Sequence, residues 1–261
     1  MQNHTSKKEI IGIIGGLGPY AGTDLLRKIY NQTIASKDQD HVPVIMLSMP
    51  NHIPDRSKFI LEQVKTNPAD SVLEQLETLE KLKVKVAGIP CVTLHAPKIY
   101  EEIIRGLKLR GSPLKLLNLV EEVVRFVEDN FSSRTKIGIL STTGSAKTNV
   151  FKSYFSNKPF QVIQPGESDQ ASIHDAIYNP SYGLKVKSNP VSKKAREILF
   201  RVAKKLVDKG CEIVILGCTE TPLAFTEKKI GDAVLIDPNL VLARALLKCI
   251  APEKLKPLPG K

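Results

Sequence analysis

Tryptophan is absent from this sequence, and phenylalanine and tyrosine supply the whole 5% of aromatic residues. Disulfide spacing is missing as well. Four cysteines stand in 261 residues with no C-x-x-C pair and no regular interval, which excludes a disulfide framework and makes reduced thiols the expectation. No apolar run approaches the roughly 20 residues needed to cross a bilayer. The polar stretch Met1 to Lys8 leads into an apolar run broken by Gly15 and Gly16, too short for a secretory h-region. The expected setting is the cytoplasm, with no membrane partner. Acidic residues are the scarcer charge, 27 against 38 lysines and arginines, for a formal net charge of +11. The lysines fall in short clusters such as Lys81, Lys83 and Lys85, or Lys204 and Lys205, without the interleaved aromatics of a base-stacking surface. Nucleic acid is therefore not the expected partner, and the positive field suits a small anionic substrate.

What is present is an ordinary globular composition, 42% hydrophobic and 25% charged, in a chain long enough for two modest α/β units. Apolar runs at 9–14, 43–48, 84–89, 135–140, 212–217 and 233–236 read as buried parallel strands rich in Ile and Val. Helical patterns at 19–36, 69–82, 97–106, 116–130, 191–209 and 238–249 alternate with them. That alternation predicts an α/β fold with parallel sheets flanked by helices. The stretch 179–190, with prolines, a glycine and lysines, reads as a long loop of the kind that carries function.

The second half repeats the first. Ile10-Ile11-Gly12-Ile13-Ile14 is answered by Lys136-Ile137-Gly138-Ile139-Leu140, and Ile89-Pro90-Cys91 by Leu216-Gly217-Cys218-Thr219. Gly12 and Gly138 are 126 positions apart and Cys91 and Cys218 are 127 apart, so two copies of one fold would present two thiols face to face. Turn residues at Arg110-Gly111-Ser112-Pro113 mark the division between the copies.

Each of the two cysteines lies just past the C-terminal end of an expected strand, where open α/β sheets bind ligands. A thiol at a helix start has its pKa lowered by the dipole and free N–H groups, which would make one sulfur a base while the other stays protonated as an acid. Either cysteine alone would read as packing; as an equivalent pair they read as a two-sided proton-transfer site around one carbon. Cys211 and Cys249 sit in apolar contexts and read as packing residues.

Gly15-Gly16-Leu17-Gly18-Pro19-Tyr20-Ala21 joins an expected strand to an expected helix and, from Gly16, matches G-x-G-x-x-A. The acidic residue of a dinucleotide fingerprint is misplaced, since Asp38 and Asp40 precede the next strand rather than end it. A substrate carboxylate suits such a turn as well as a pyrophosphate does. Cys91-x-x-x-His95 has zinc-ligand spacing, but no further His or Cys pair completes a set, so no metal is expected and His95 reads as a residue that orients a neighbour or caps a helix. Arg56, in the proline-bracketed loop Pro50 to Arg56, reads equally as a bidentate carboxylate ligand or as a surface partner of Asp55.

Taken together, these motifs resemble the aspartate/glutamate racemase family of cofactor-independent amino-acid racemases. The resemblance rests on Ile14 to Pro19, Asp38 to Pro43, Ile53 to Arg56, Pro90-Cys91-x-Thr93-x-His95 and Leu216-Gly217-Cys218-Thr219-Glu220. It implies two pseudo-symmetric α/β domains, 1–112 and 113–229, with 230–261 packing back on the first, the active site in the cleft between them, and a homodimer. It implies Cys91 and Cys218 as the catalytic pair, Arg56 and Lys185 on the substrate's side-chain carboxylate, and Thr93 and Thr219 on its α-carboxylate. Gly16, Val92 and Glu220 complete the implied substrate-binding set, and the segments 38–43 and 53–56 are implied as substrate-side loops. Neither pyridoxal phosphate nor a metal is implied. Val92 departs from the family, which commonly has Asn there. The expected activity is racemisation of an acidic amino acid, aspartate before glutamate. The alternatives are isomerisation or decarboxylation of a dicarboxylate through one cysteine, a catalytically silent ligand-binding homologue, and a nucleotide-binding oxidoreductase.

Overall fold

The computed structural model describes residues 9–258; the polar stretch read at 1–8 and the last three residues lie outside the described residues. A first sheet is built from β1 (Ile10–Gly15), β2 (Val44–Ser48), β3 (Val84–Gly88) and the short β4 (Lys115–Leu116), in the order β2-β1-β3-β4. All its pairings are parallel. A second sheet contains β5 (Lys136–Ile139), β6 (Gln161–Ile163), β7 (Ile213–Ile215), β8 (Lys229–Ile230) and β9 (Ala233–Ile236), in the order β6-β5-β7-β9-β8. It is parallel except for the edge strand β8. The order β2-β1-β3 is thus repeated as β6-β5-β7, and both opening strands are nearly continuous apolar runs, as sheets covered on both faces require.

The first half carries α1 (Pro19–Gln32), α2 (Arg56–Ile60), α3 (Pro68–Lys81), α4 (Pro97–Leu109) and α5 (Leu119–Asn130). The second carries α6 (Thr143–Lys147), α7 (Val150–Phe155), α8 (Glu167–Tyr178), α9 (Lys193–Asp208) and α10 (Pro238–Ile250). Proline at the first helical position starts α1, α3, α4 and α10, where its missing N–H costs no hydrogen bond. Of these elements, β4, β6, β8, α2, α6, α7 and α8 were not foreseen. Most span two to six residues, too short for a period to show, and α8 buries only Ile173, Ala176 and Ile177.

Three apolar clusters make up the interior. One lies outside the first sheet under α3 and α4, with Leu76, Leu79, Ile99 and Cys91. One lies outside the second under α8 and α9, with Ile173, Leu199, Leu206 and Cys218. The largest runs between the sheets, where α1, α5 and α10 are shared: Ile11, Ile13, Val120, Ile137, Ile213 and Leu242 all belong to it. Burial at roughly 25 cal/mol per Å² of apolar surface makes this shared cluster the main cohesion between the halves.

Glycine fixes equivalent close approaches in the two copies. A Cβ on Gly12 would stand 2.8 Å from Leu79 Cδ1, and one on Gly138 would stand 3.0 Å from Leu206 Cβ. Leu79 and Leu206 are themselves 127 positions apart, so the packing of α3 on β1 is repeated by α9 on β5.

The sheets partition the chain differently from the expected division at 112/113 and 229/230. β4 pairs with β3, so the first sheet runs past residue 112 to Leu116. β9 pairs with β7, so residues after 230 still belong to the second sheet. Only from Pro238 does the chain cross back, and α10 packs against α1, α5 and β3. The segment 38–43, expected on the substrate side, precedes β2 and lies at the opposite end of the sheet from the strand C-termini. There Lys254 Nζ donates to Asp40 O and Ile34 N to Lys254 O.

Candidate active site

Both sheets reverse their strand order at the opening strand, which makes the loops after β1 and β3, and after β5 and β7, the natural ligand-facing edges. The register makes the copies equivalent here. Gly12 pairs with Ala87 and Gly138 with Val214, and each cysteine stands four residues beyond that partner, Cys91 after Ala87 and Cys218 after Val214. The two loops meet directly: Thr219 Oγ1 donates to the carbonyl of Pro90, the residue before Cys91, at 2.7 Å. Both cysteines are buried, 4% and 6% exposed.

Glu220 is the hub. Its Oε1 receives Lys185 Nζ at 2.5 Å and Gly18 N–H at 3.1 Å, and its Oε2 receives the Cys218 thiol at 3.1 Å, with Thr219 Oγ1, whose proton goes to Pro90, 3.5 Å away. The N-terminus of α1 therefore does take an anion, as the glycine-rich turn suggested, but the anion is a carboxylate of the other half. Gly16 holds φ +86, and a Cβ there would meet the backbone nitrogen of Pro50 at 3.0 Å, so this turn requires glycine.

These contacts set the charge states. Burial alone would push the Glu220 carboxyl up, but the Lys185 ammonium, the Cys218 hydrogen bond and Arg56 outweigh it and hold it below the ordinary glutamate range. Burial works against the Lys185 charge too, and Glu220 more than restores it, so Lys185 titrates above a free lysine. The Cys218 thiol is pushed up by burial and by Glu220. This corrects the expectation of a depressed thiol pKa there. Only a single 3-10 turn, Thr221–Ala224, follows Cys218, too short to supply much dipole, and a carboxylate sits on the sulfur instead. The Cys218 thiol is thereby held protonated.

Arg56 is buried, its Nη2 donating to Leu17 O at 2.7 Å, while its Nε has no partner among the described residues. Burial opposes its charge, but Cys91, Tyr178, Asp55 and Glu220 nearby raise its pKa on balance. Arg56 is thus a buried cation, with Cys91 and Asp55 both among its neighbouring charges, rather than a surface residue. Gly16, Gly18, Asp55, Arg56, Lys185 and Glu220 line one cavity of about 180 Å³.

Other expected contacts are placed elsewhere. Thr93 Oγ1 lies 2.9 Å from Ser145 Oγ and 3.3 Å from Thr142 Oγ1, in a buried hydroxyl cluster between the halves. Val92 packs into the central apolar cluster, 2% exposed, and adds no polar group to the cavity. His95 uses both ring nitrogens structurally: Nδ1 bonds Cys91 O at 2.9 Å, and Nε2 accepts the Leu119 N–H that opens α5 at 3.2 Å. Burial, against the Cys91 carbonyl, lowers its pKa to about 4, which fits a neutral capping residue and leaves no lone pair for a metal. Cys211 is buried as expected, whereas Cys249 is exposed, with Lys115 Nζ 3.5 Å from its sulfur.

Sequence reasoning missed Thr142 and Ser145, Tyr178, whose hydroxyl lies 3.0 Å from Ser57 Oγ, and Asn239. The repeat offset pointed to the first pair, since Gly16 and Gly18 advanced by 126 or 127 fall on Thr142 to Ser145. Tyr178 and Asn239 carry no such signal.

Comparison with known proteins agrees with this fold. A stretch of 29% identity over 97 residues relates the chain to an uncharacterised protein of Pectobacterium carotovorum, and covers 37% of this chain and 60% of that relative's length. Among solved structures, Picrophilus torridus aspartate racemase superposes with a TM-score of 0.77 at 25% identity, covering 93% of this chain and 94% of the other. An aspartate racemase homologue from Pyrococcus horikoshii follows the same fold with a TM-score of 0.67 at 19% identity, covering 93% and 99%. The Asp/Glu/Hydantoin racemase family model matches residues 14–246, nearly the whole chain and both cysteine loops, and the chain belongs to that family.

Proposed function

We propose that this protein racemises an acidic amino acid, aspartate before glutamate, without a cofactor, by two-base proton transfer between Cys91 and Cys218. The observation that carries the reading is the Thr219–Pro90 hydrogen bond, which ties the two equivalent cysteine loops together at the ends of two sheets. In one direction the Cys91 thiolate takes the α-proton: the Cα–H bond breaks, an S–H bond forms, and the electron pair delocalises into the α-carboxylate. The Cys218 thiol then delivers its proton to the opposite face, and the roles exchange for the reverse reaction.

The charges around the cavity support an anionic substrate. Arg56, whose Nε has no partner among the described residues, and Lys185 are cations lining the cavity, and a substrate carboxylate competes with Glu220 for Lys185. Val92 is left out of the substrate contacts, because its side chain belongs to the core. A homodimer and a cytoplasmic setting are part of the same proposal; four free cysteines suit a reducing compartment.

The test is to incubate reduced, chelator-treated protein with L and D amino acids and follow enantiomer composition by chiral chromatography. Interconversion of aspartate or glutamate with no added cofactor is the expected result. Inertness toward every amino acid, together with turnover of a four-carbon dicarboxylate, would replace this reading by the single-cysteine isomerase or decarboxylase.

A further inference from the structure

Behind the Cys218 loop, on the side away from the cavity, lies a buried polar network that the proton transfer does not use. Asn239, the second residue of α10, is fully buried. Its Nδ2 reaches Asp24 Oδ2 at 2.9 Å, the Thr219 carbonyl at 3.1 Å and the Ala21 carbonyl at 3.5 Å. All three neighbours are acceptors, so the amide has one sensible orientation: flipped, it would set an oxygen against a carboxylate and two carbonyls. Asp24, its side chain 1% exposed, is fixed in turn by Arg27 at 2.7 Å and by Lys28. Lys28 also grips Asp237, whose carboxylate caps α10 by accepting the N–H groups of Asn239 and Leu240.

We propose that Asn239, anchored by Asp24, is a positioning residue that fixes the Cys218–Thr219–Glu220 loop and so holds the Cys218 thiol on Glu220. The loop is clamped from two sides by the same helix. In front, the N-terminus of α1 donates Gly18 N–H to Glu220; behind, the next turn of α1 supplies Asp24 and the Ala21 carbonyl, and Asn239 links them to the carbonyl next to Cys218. Cys91 is held differently, its own carbonyl by His95 and its loop by the hydroxyl of Thr219. The network therefore acts on Cys218 directly, through the adjacent Thr219 carbonyl, and on Cys91 only at one remove, through the Thr219–Pro90 hydrogen bond.

The proposal rests on the racemase reading only for its effect on turnover, so its first readout is independent of activity. Native protein and the full-length variants Asn239→Ala and Asn239→Ser are treated with iodoacetamide, and alkylation of Cys91 and Cys218 is followed separately by peptide mass spectrometry. Loss of one well-placed hydrogen bond predicts that Cys218 is alkylated about tenfold faster in Asn239→Ala, with Cys91 changed by less than about twofold and Asn239→Ser in between. In racemisation assays the same variants are expected to lose kcat with KM little changed. Equal change at both cysteines, or none at either, would overturn the positioning role. If Asn239→Ala does not fold, Asn239→Ser decides it. A selective change at Cys218 in a protein that racemises nothing would keep the clamp and sink the racemase reading.

Discussion

His95 shows how one side chain can lie in a catalytic-looking motif and serve the fold. Its spacing from Cys91 suggested a ligand, an orienter or a cap, and hydrogen bonding resolves this: one ring nitrogen holds the Cys91 carbonyl, the other caps α5. Because its pKa falls from 6.5 to about 4 on burial, the unfolded chain takes up the proton first as the pH drops. The neutral histidine's contribution is complete above about pH 6.5 and is lost between there and pH 4, a difference of about 3 kcal/mol. Urea unfolding of wild type and His95→Gln should therefore show the wild type losing more stability across that window; parallel pH curves would refute the buried neutral histidine. The two cysteines were legible because a duplication puts the same chemistry at the same offset twice. Lys185 was visible only through family likeness, since its neighbours in sequence are loop residues and its partner Glu220 is 35 positions away. Asn239 was not legible at all: it reaches Thr219 only because α10 crosses the molecule.

At the scale of elements, the long helices and the apolar strands were readable because each has a period or a continuous run to display. The short ones draw their stability from tertiary contacts. α6 is the plainest case, its Gly144 packed so closely on α2 that a Cβ would stand 2.9 Å from Ser57 Oγ. The junction of β1 and α1 joins local structure to the site. Gly18 is the N-cap of α1 and donates to Glu220, and a Cβ there would lie 2.7 Å from Glu220 Oε1. Gly18→Ala is expected to push that carboxylate off the helix N-terminus and lower racemisation by about tenfold or more, the scale of one charge-assisted hydrogen bond. Stability should change little, because the displaced atom ends a side chain beside a cavity. Unchanged turnover would show that the Glu220 contact with α1 is dispensable.

On the scale of the whole molecule, the two halves are joined through a shared interior rather than across a thin hinge. α10 leaves the second sheet, crosses to α1 and packs Leu242 and Leu246 against β3, where a Cβ on Gly88 would stand 3.1 and 3.0 Å from them. The internal symmetry extends to the ends of both sheets: β4 stands beside β3 as β9 stands beside β7, each followed by a helix, α5 and α10, and among the described strands the edge strand β8 has no counterpart in the first sheet. Leu242→Ala should cost about 2–5 kcal/mol, typical of a fully buried leucine, and both halves should still unfold in one transition. Two separated transitions in calorimetry would show that the halves fold independently. The same shared interior holds the two cysteine loops against one another, and the central claim is that one sulfur serves each face of the substrate carbon. It is tested most directly by following the α-proton of L- and D-aspartate by NMR in heavy water, with wild type, Cys91→Ser and Cys218→Ser. The account predicts exchange with inversion from both enantiomers in wild type and no interconversion in either variant, any residual exchange being confined to one enantiomer and opposite in the two. Full racemisation by either variant would contradict it.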